Sequence, residues 1–126
     1  MTIHNCMEVP MRDILLQCAG ALAIAAALIH GVLSETKVFP RVTIEPKGLR
    51  TLFRFVWQIP TVAWIACGVL LIALPSFASE TARHWMVATF AVLFAFSALG
   101  NALGTRGKHF GWMVLGAVTA LAVAGY

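Results

Sequence analysis

The sequence predicts an all-α fold, a transmembrane up-down four-helix bundle, on three observations. Hydrophobic residues fill 60% of the 126 positions and charged residues 11%, against roughly 45–50% and about 25% in a soluble globular chain. The charges are gathered so that four long apolar runs are left, at residues 13–33, 51–74, 83–103 and 109–126. The connections between the runs are about 17, 8 and 5 residues long, which suits antiparallel neighbours in a bundle. A mean hydropathy of +0.87 agrees, and a chain of this length makes a single membrane domain.

Residues 1–12 carry Glu8, Pro10 and Arg12 and read as a short polar tail, with His4 on the surface. The first run has the ~20 residues needed to cross ~30 Å of hydrocarbon. It does not read as a signal peptide, because only Arg12 stands against Glu8 and Asp13 ahead of it. Nor does LLQC around Cys18 read as a lipoprotein processing site, since Gln17 is a poor residue before the cysteine. Residues 34–50 form the longest loop, with Pro40 and Pro46 barring a continuous helix. The second run has Arg54 in its first turn and ends at Pro75. Pro60 inside it is expected to kink the helix and free a carbonyl near Val56. In the linker PSFASETA, Thr81 is the expected cap of the third helix, which ends at Gly104. The fourth run, His109 to Tyr126, is just long enough to span.

Small residues recur every fourth position at Ala19, Ala23, Ala27 and Gly31, at Gly100 and Gly104, and at Gly116, Ala120 and Ala124. Such ridges let helices approach closely in lipid and predict a tight bundle or a homo-oligomer. Cys6, Cys18 and Cys67 form no CxxC and have no metal-like spacing with histidine. Cys18 and Cys67 read as small hydrophobes, with a disulfide between them a minor alternative.

The chain is basic, with net charge +4 and pI near 9.4. Its cations lie between apolar runs and not in one patch, which points to the lipid bilayer as partner and away from nucleic acid. The first and third loops with Arg54 hold seven Lys and Arg, against Arg12 and Arg83 on the other side. The positive-inside rule therefore predicts both termini outside the cytoplasm.

That orientation brings polar groups from all four runs to the cytoplasmic half. His30 lies one turn from the end of the first run, and Glu35 follows it. Arg54, Trp57, Gln58 and Thr61 share one stripe of the second, and Ser97 and Asn101 close the third. His109 and Trp112 open the fourth. The candidate pocket is thus His30, Glu35, Arg54, Trp57, Gln58, Ser97, Asn101 and His109, facing inward because an unpaired polar group in hydrocarbon is costly. Each also has a plain structural reading. His30 suits a neutral imidazole bridging helices as well as a ligand, and Arg54 suits snorkelling to lipid phosphate or an ion pair with Glu35. Gln58 and Asn101 suit interhelical hydrogen bonds. Trp57, Trp85, Trp112 and Tyr126 suit interfacial belts, and His84 a surface position.

Several classes fit poorly. A small multidrug-type exporter needs an intramembrane acid, and no Asp or Glu lies between Ile14 and Leu33 or inside a later run. The phenylalanine motif of fluoride channels and the CxxC of vitamin-K-reductase-like enzymes are also missing. No metal site is predicted and no catalytic residue. A redox protein remains as the alternative, with His30 and His109 holding haem or a quinone headgroup.

The segments HGVLSETKVFPRV and FVWQIPTVAW resemble an uncharacterised group of small bacterial four-helix membrane proteins. In that group the first helix ends in a His–x3–Gly–Glu-like motif and the second begins with Trp–His; here Ser34 stands for the Gly and Gln58 for the His. The resemblance implies the bacterial inner membrane and no activity. The expected function is that of an accessory or lipid/small-molecule-binding membrane protein, alone or within a larger membrane complex.

Overall fold

The computed structural model describes the backbone of residues 4–126 and the side chains of residues 10–126; those of His4, Cys6 and Glu8 lie outside the described residues. Four α-helices account for most of it: α1 (His4–Leu33), α2 (Lys47–Phe77), α3 (Glu80–Thr105) and α4 (Gly111–Ala124). A π-helical turn, Ser34–Val38, and a 3-10 turn, Phe39–Arg41, follow α1. The described residues contain no strand. Three helical stretches, Pro10–Arg41, Lys47–Phe77 and Glu80–Thr105, are long and apolar enough to cross a membrane, while α4 is shorter.

The helix limits differ from the hydropathy limits for local reasons. Residues 4–12 are helical and not a loose tail, since Pro10 removes only one backbone donor and α1 runs through it. Pro40 does not break the chain at residue 34; it sits in the first turn of the 3-10 segment, where its missing N–H is not needed. Extended backbone begins only at Val42. Pro46 then precedes α2, and its carbonyl accepts from Leu49 N–H at 2.9 Å. Ser79, not Thr81, caps α3, its side chain accepting from Ala82 N–H at 3.3 Å. Gly104 stays helical. The reversal falls to Arg106 and Gly107, at φ 53° and 71°, where Gly107 N–H reaches Ala102 O at 2.7 Å.

Contacts fix an antiparallel order. Gly20 meets Gly68 while Gly31 meets Thr61, so α1 and α2 run oppositely. Asn101 lies beside Gly111 and His84 stacks on Tyr126, so α3 and α4 do as well. Gly125 lies against Leu16, and the start of α4 faces the end of α1. Around the bundle the order is α2, α1, α4, α3, and α2 and α3 barely touch. The core is built from Leu16, Ala19, Ala23 and Ala27 against Trp64, Leu71, Phe94, Leu115 and Val118.

The small-residue ridges divide accordingly. Ala19, Ala23 and Ala27 are fully buried. The tightest helix contact involves a pair outside the predicted ridges: a Cβ added at Gly20 would lie 2.4 Å from the Gly68 carbonyl, and one at Gly68 2.7 Å from that of Gly20. At Gly100, Gly104 and Gly116 a Cβ would meet nothing within 4 Å, and Ala120 and Ala124 are exposed. A ridge becomes a contact only where a neighbour lies on that face, and these faces have none. Cys18 is exposed and Cys67 buried, both free.

Candidate functional site

The end of α1 meets the start of α2 through a closed ring of hydrogen bonds. Trp57 Nε1–H donates to Ser34 Oγ at 2.7 Å, Ser34 Oγ–H donates to His30 O at 2.5 Å, and His30 Nε2 lies 3.3 Å from Trp57 O. A carbonyl only accepts, so in this contact His30 Nε2–H is the donor. Pro60 lacks the N–H that would bond Val56 O; the carbonyl that His30 uses is the next one along, Trp57. The His30 ring is parallel to Trp57, with centroids 5.9 Å apart and an interplanar angle of 6°, and meets Trp64 edge-on at 5.1 Å.

Across from this ring lie the end of α3 and the start of α4. Gly111 N–H donates to His109 Nδ1 at 3.1 Å, which leaves Nε2 as the ring nitrogen that can donate. Asn101 Oδ1 is buried and has no hydrogen-bond partner. Gly111 is glycine for lack of room, since a Cβ there would stand 2.9 Å from His109 Nδ1 and 3.1 Å from Asn101 Nδ2.

Between these two walls is a cavity of about 400 Å³. All four helices line it: Ala26, Ile29, His30, Leu33, Ser34 and Val38 from α1 and its turn, Trp57 and Trp64 from α2, Gly100, Asn101, Gly104 and Thr105 from α3, and His109, Phe110, Gly111, Val114 and Leu115 at α4. The surface is mostly apolar, with His30, Ser34, Asn101, Thr105 and His109 as its polar points.

The predicted pocket residues fall into two groups. His30, Trp57, Asn101 and His109 share this cavity. Glu35, Arg54 and Gln58 instead line a smaller neighbouring cleft of about 230 Å³, with Thr51 and Phe55. There Arg54 pairs with Glu35 and lies 5.6 Å over the Phe39 ring. Gln58 Nε2–H donates to Glu35 Oε1 at 3.1 Å, and Gln58 Oε1 accepts from Thr61 Oγ1–H at 2.9 Å. Gln58 follows Trp57 by one residue, about 100° around the helix, which carries it out of the His30 cavity. Ser97 lines neither space; its hydroxyl bonds back to Leu93 O at 2.8 Å, as a serine in an apolar helix does.

No family model, curated protein or solved structure matches this chain. The site is therefore argued from its own geometry.

Ser34, Trp64, Thr105 and Gly111 are among the lining residues that the candidate pocket did not include. Trp64 was findable, being seven residues after Trp57 and so on the same face. At the opposite end of the bundle a second polar cluster was also missed. Arg83 is buried and pairs with Asp13 at 2.5 Å, Arg12 lies 3.9 Å from Glu80, and His84 stacks on Tyr126 at 4.5 Å. His84 keeps 44% of its side chain exposed beside this stack, so it is a surface residue with an aromatic neighbour. Among the described residues no three of His, Cys, Asp and Glu converge as metal ligands.

Proposed function

We propose that the chain is a four-span integral membrane protein that binds a lipid or small molecule in the cavity between His30, Trp57, Asn101 and His109. The observation that carries this reading is the cavity itself: about 400 Å³ of mostly apolar surface with a few polar residues, His30, Ser34, Asn101, Thr105 and His109, on its wall. Small-molecule sites combine an apolar body of ~300–1,000 Å³ with a few convergent polar groups.

Four spans are supported although α4 has only 14 helical residues, about 21 Å at 1.5 Å per residue. From Gly125 beside Leu16 to Gly111 at the cavity, the α4 segment covers the same height as α1 from Leu16 to His30. The Lys and Arg asymmetry supports loops one and three, and with them the cavity, on the cytoplasmic side. The resemblance in sequence supports a bacterial inner membrane.

The quinone form of the alternative is favoured over the haem form by one contact. His109 Nδ1 accepts from Gly111 N–H, so ligation of haem iron through His109 Nε2 would put the ring proton on Nδ1 against that N–H.

The test is purification in mild detergent with mass spectrometry of co-purifying small molecules, on the wild type and on His30→Leu and Asn101→Leu. A molecule retained by the wild type and lost from both variants supports the reading. Equal content in all three would remove the cavity from the account.

A further inference from the structure

The two ends of the bundle differ in how their charges are matched. At the end that holds Asp13 and Glu80 both arginines are paired, Arg83 with Asp13 at 2.5 Å and Arg12 with Glu80 at 3.9 Å. The other end, with loops one and three, has seven Lys and Arg against Glu35 and Glu45. Of those seven only Arg54 lies within 4 Å of a described carboxylate, that of Glu35. Lys37, Arg41, Lys47, Arg50, Arg106 and Lys108 are exposed and form no ion pair among the described residues.

Part of this excess lies on one face of a helix that outruns the bundle. α2 has 31 residues, about 46 Å at 1.5 Å per residue, against ~30 Å of hydrocarbon. Residues 47–56, its first ten, are all exposed. Lys47, Arg50 and Arg54 follow i, i+3, i+7 and share one face. Arg54 and Arg50 precede Trp57 by about 4.5 and 10.5 Å along the axis. With Trp57 at the interface, both side chains reach the ~5–7 Å headgroup layer. Beside this face is the cleft of about 230 Å³ lined by Glu35, Thr51, Arg54, Phe55 and Gln58. Arg54 and Gln58 both bond Glu35, which compensates the carboxylate and leaves Arg50, one turn before Arg54, uncompensated. From the cleft an exposed apolar stripe, Phe55, Ile59, Val62, Ala66 and Val69, runs down α2 at i, i+4, i+7, i+11 and i+14, a length of about 21 Å.

We propose that this face of α2 holds one anionic phospholipid. Its phosphate sits on Arg50 beside Arg54, with the Thr51 hydroxyl as a neutral donor whose own bond to Lys47 O is long at 3.3 Å. Its acyl chains lie along Phe55, Ile59 and Val62. A phosphodiester supplies the negative charge this end of the bundle lacks, and a guanidinium fork matches its oxygens in pairs. A zwitterionic lipid brings its own cation against Lys47 and Arg50 and is held less. The site is open along α2, so its lipid exchanges with detergent during purification, unlike the occupant of the cavity. This inference rests on the membrane-spanning reading and not on what fills the cavity.

The test adds lipid back. Phosphatidylglycerol and phosphatidylcholine with the same chains are titrated into the full chain in mild detergent, and the first bound lipid is measured by native mass spectrometry. Wild type is expected to prefer phosphatidylglycerol by at least about fivefold, ~1 kcal/mol for one cation near the headgroups. Arg50→Gln, an exposed change outside the packed bundle, is expected to remove that preference at unchanged helical content. Lys108→Gln makes the same charge change in loop three and is expected to keep it. Glycerol phosphate in excess, the anionic headgroup without chains, is expected to displace no lipid. Equal binding of the two lipids by wild type overturns the site. Equal losses from Arg50→Gln and Lys108→Gln also overturn it, because diffuse attraction to the charged end would then suffice. Displacement by glycerol phosphate would make the site one for a free phosphate and overturn the lipid. Flotation of the protein with phosphatidylcholine vesicles checks the membrane reading separately: protein that does not float contradicts that reading, whereas floating protein without the preference overturns this site alone.

Discussion

Gly20 and Gly68 provide the sharpest stability prediction, because they and two other helical glycines, Gly100 and Gly116, differ in what a methyl group would meet. Alanine at 20 places Cβ 2.4 Å from the Gly68 carbonyl oxygen and 2.7 Å from Ile72 Cγ1, where ordinary contact begins near 3.4 Å. The carbonyl belongs to helix backbone and cannot rotate away, so α1 and α2 must separate locally by roughly 1 Å. Overpacking of this kind costs about 1–3 kcal/mol, and the separation also loosens a contact held by van der Waals attraction between the two backbones. The higher helix propensity of alanine returns at most about 1 kcal/mol. Net destabilisation of ~1–2 kcal/mol is therefore expected for Gly20→Ala and for Gly68→Ala. The double variant should fall short of the sum, since helices already apart accept the second methyl more easily. Gly100→Ala and Gly116→Ala meet nothing and should be neutral or slightly stabilised. Unfolding by sodium dodecyl sulfate in mixed micelles, followed by helical circular dichroism, ranks the variants. If Gly20→Ala unfolds at the same detergent fraction as Gly116→Ala, the close α1–α2 crossing is wrong.

Three further outcomes follow from other contacts. Asp13→Ala strands the buried Arg83 guanidinium and should cost about 3 kcal/mol; Arg83→Leu strands the more exposed Asp13 and should cost less, and equal losses in the same unfolding assay would refute this asymmetry. Trp57→Phe keeps the aromatic packing but loses the donor to Ser34 Oγ, at about 1 kcal/mol, and adding Ser34→Ala should cost little more; full additivity in the double-mutant cycle would show the two do not interact. Reporter fusions should be active as cytoplasmic markers at residues 42–46 and as external markers after Tyr126, and the reverse pattern would invert the proposed orientation.

The helical fold and the convergence of the site were legible from sequence to different degrees. Apolar runs with short connections suffice for four helices, because only helices use that much apolar length between charges. Antiparallel order then carries the end of α1 to the start of α2, and the end of α3 to the start of α4. His30, Trp57, Asn101 and His109 meet for that reason. Rotation about each helix was the weaker quantity. One residue separates Trp57 from Gln58, yet that step puts Gln58 with Glu35 and Arg54 in a different space. The ridges failed on the same ground: Gly100, Gly104 and Gly116 have the spacing of a helix contact, but spacing within one helix does not say which neighbour is present. Asp13 and Arg83 are 70 residues apart, and nothing local to either marks the other. Helix ends depended on side-chain and backbone detail, such as Ser79 accepting from Ala82 and the left-handed turn at Arg106 and Gly107, that hydropathy does not register.

The central claim is that the cavity holds a small molecule against its polar wall, to which Asn101 contributes a side chain. Native mass spectrometry of the protein released from mild detergent measures occupancy directly. The wild type is expected to carry one bound small molecule per chain, and Asn101→Leu, of nearly the same size but without the acceptor, to fly empty at unchanged helical content. A wild type that flies without any adduct, or an Asn101→Leu protein that carries the same adduct to the same extent, would contradict it.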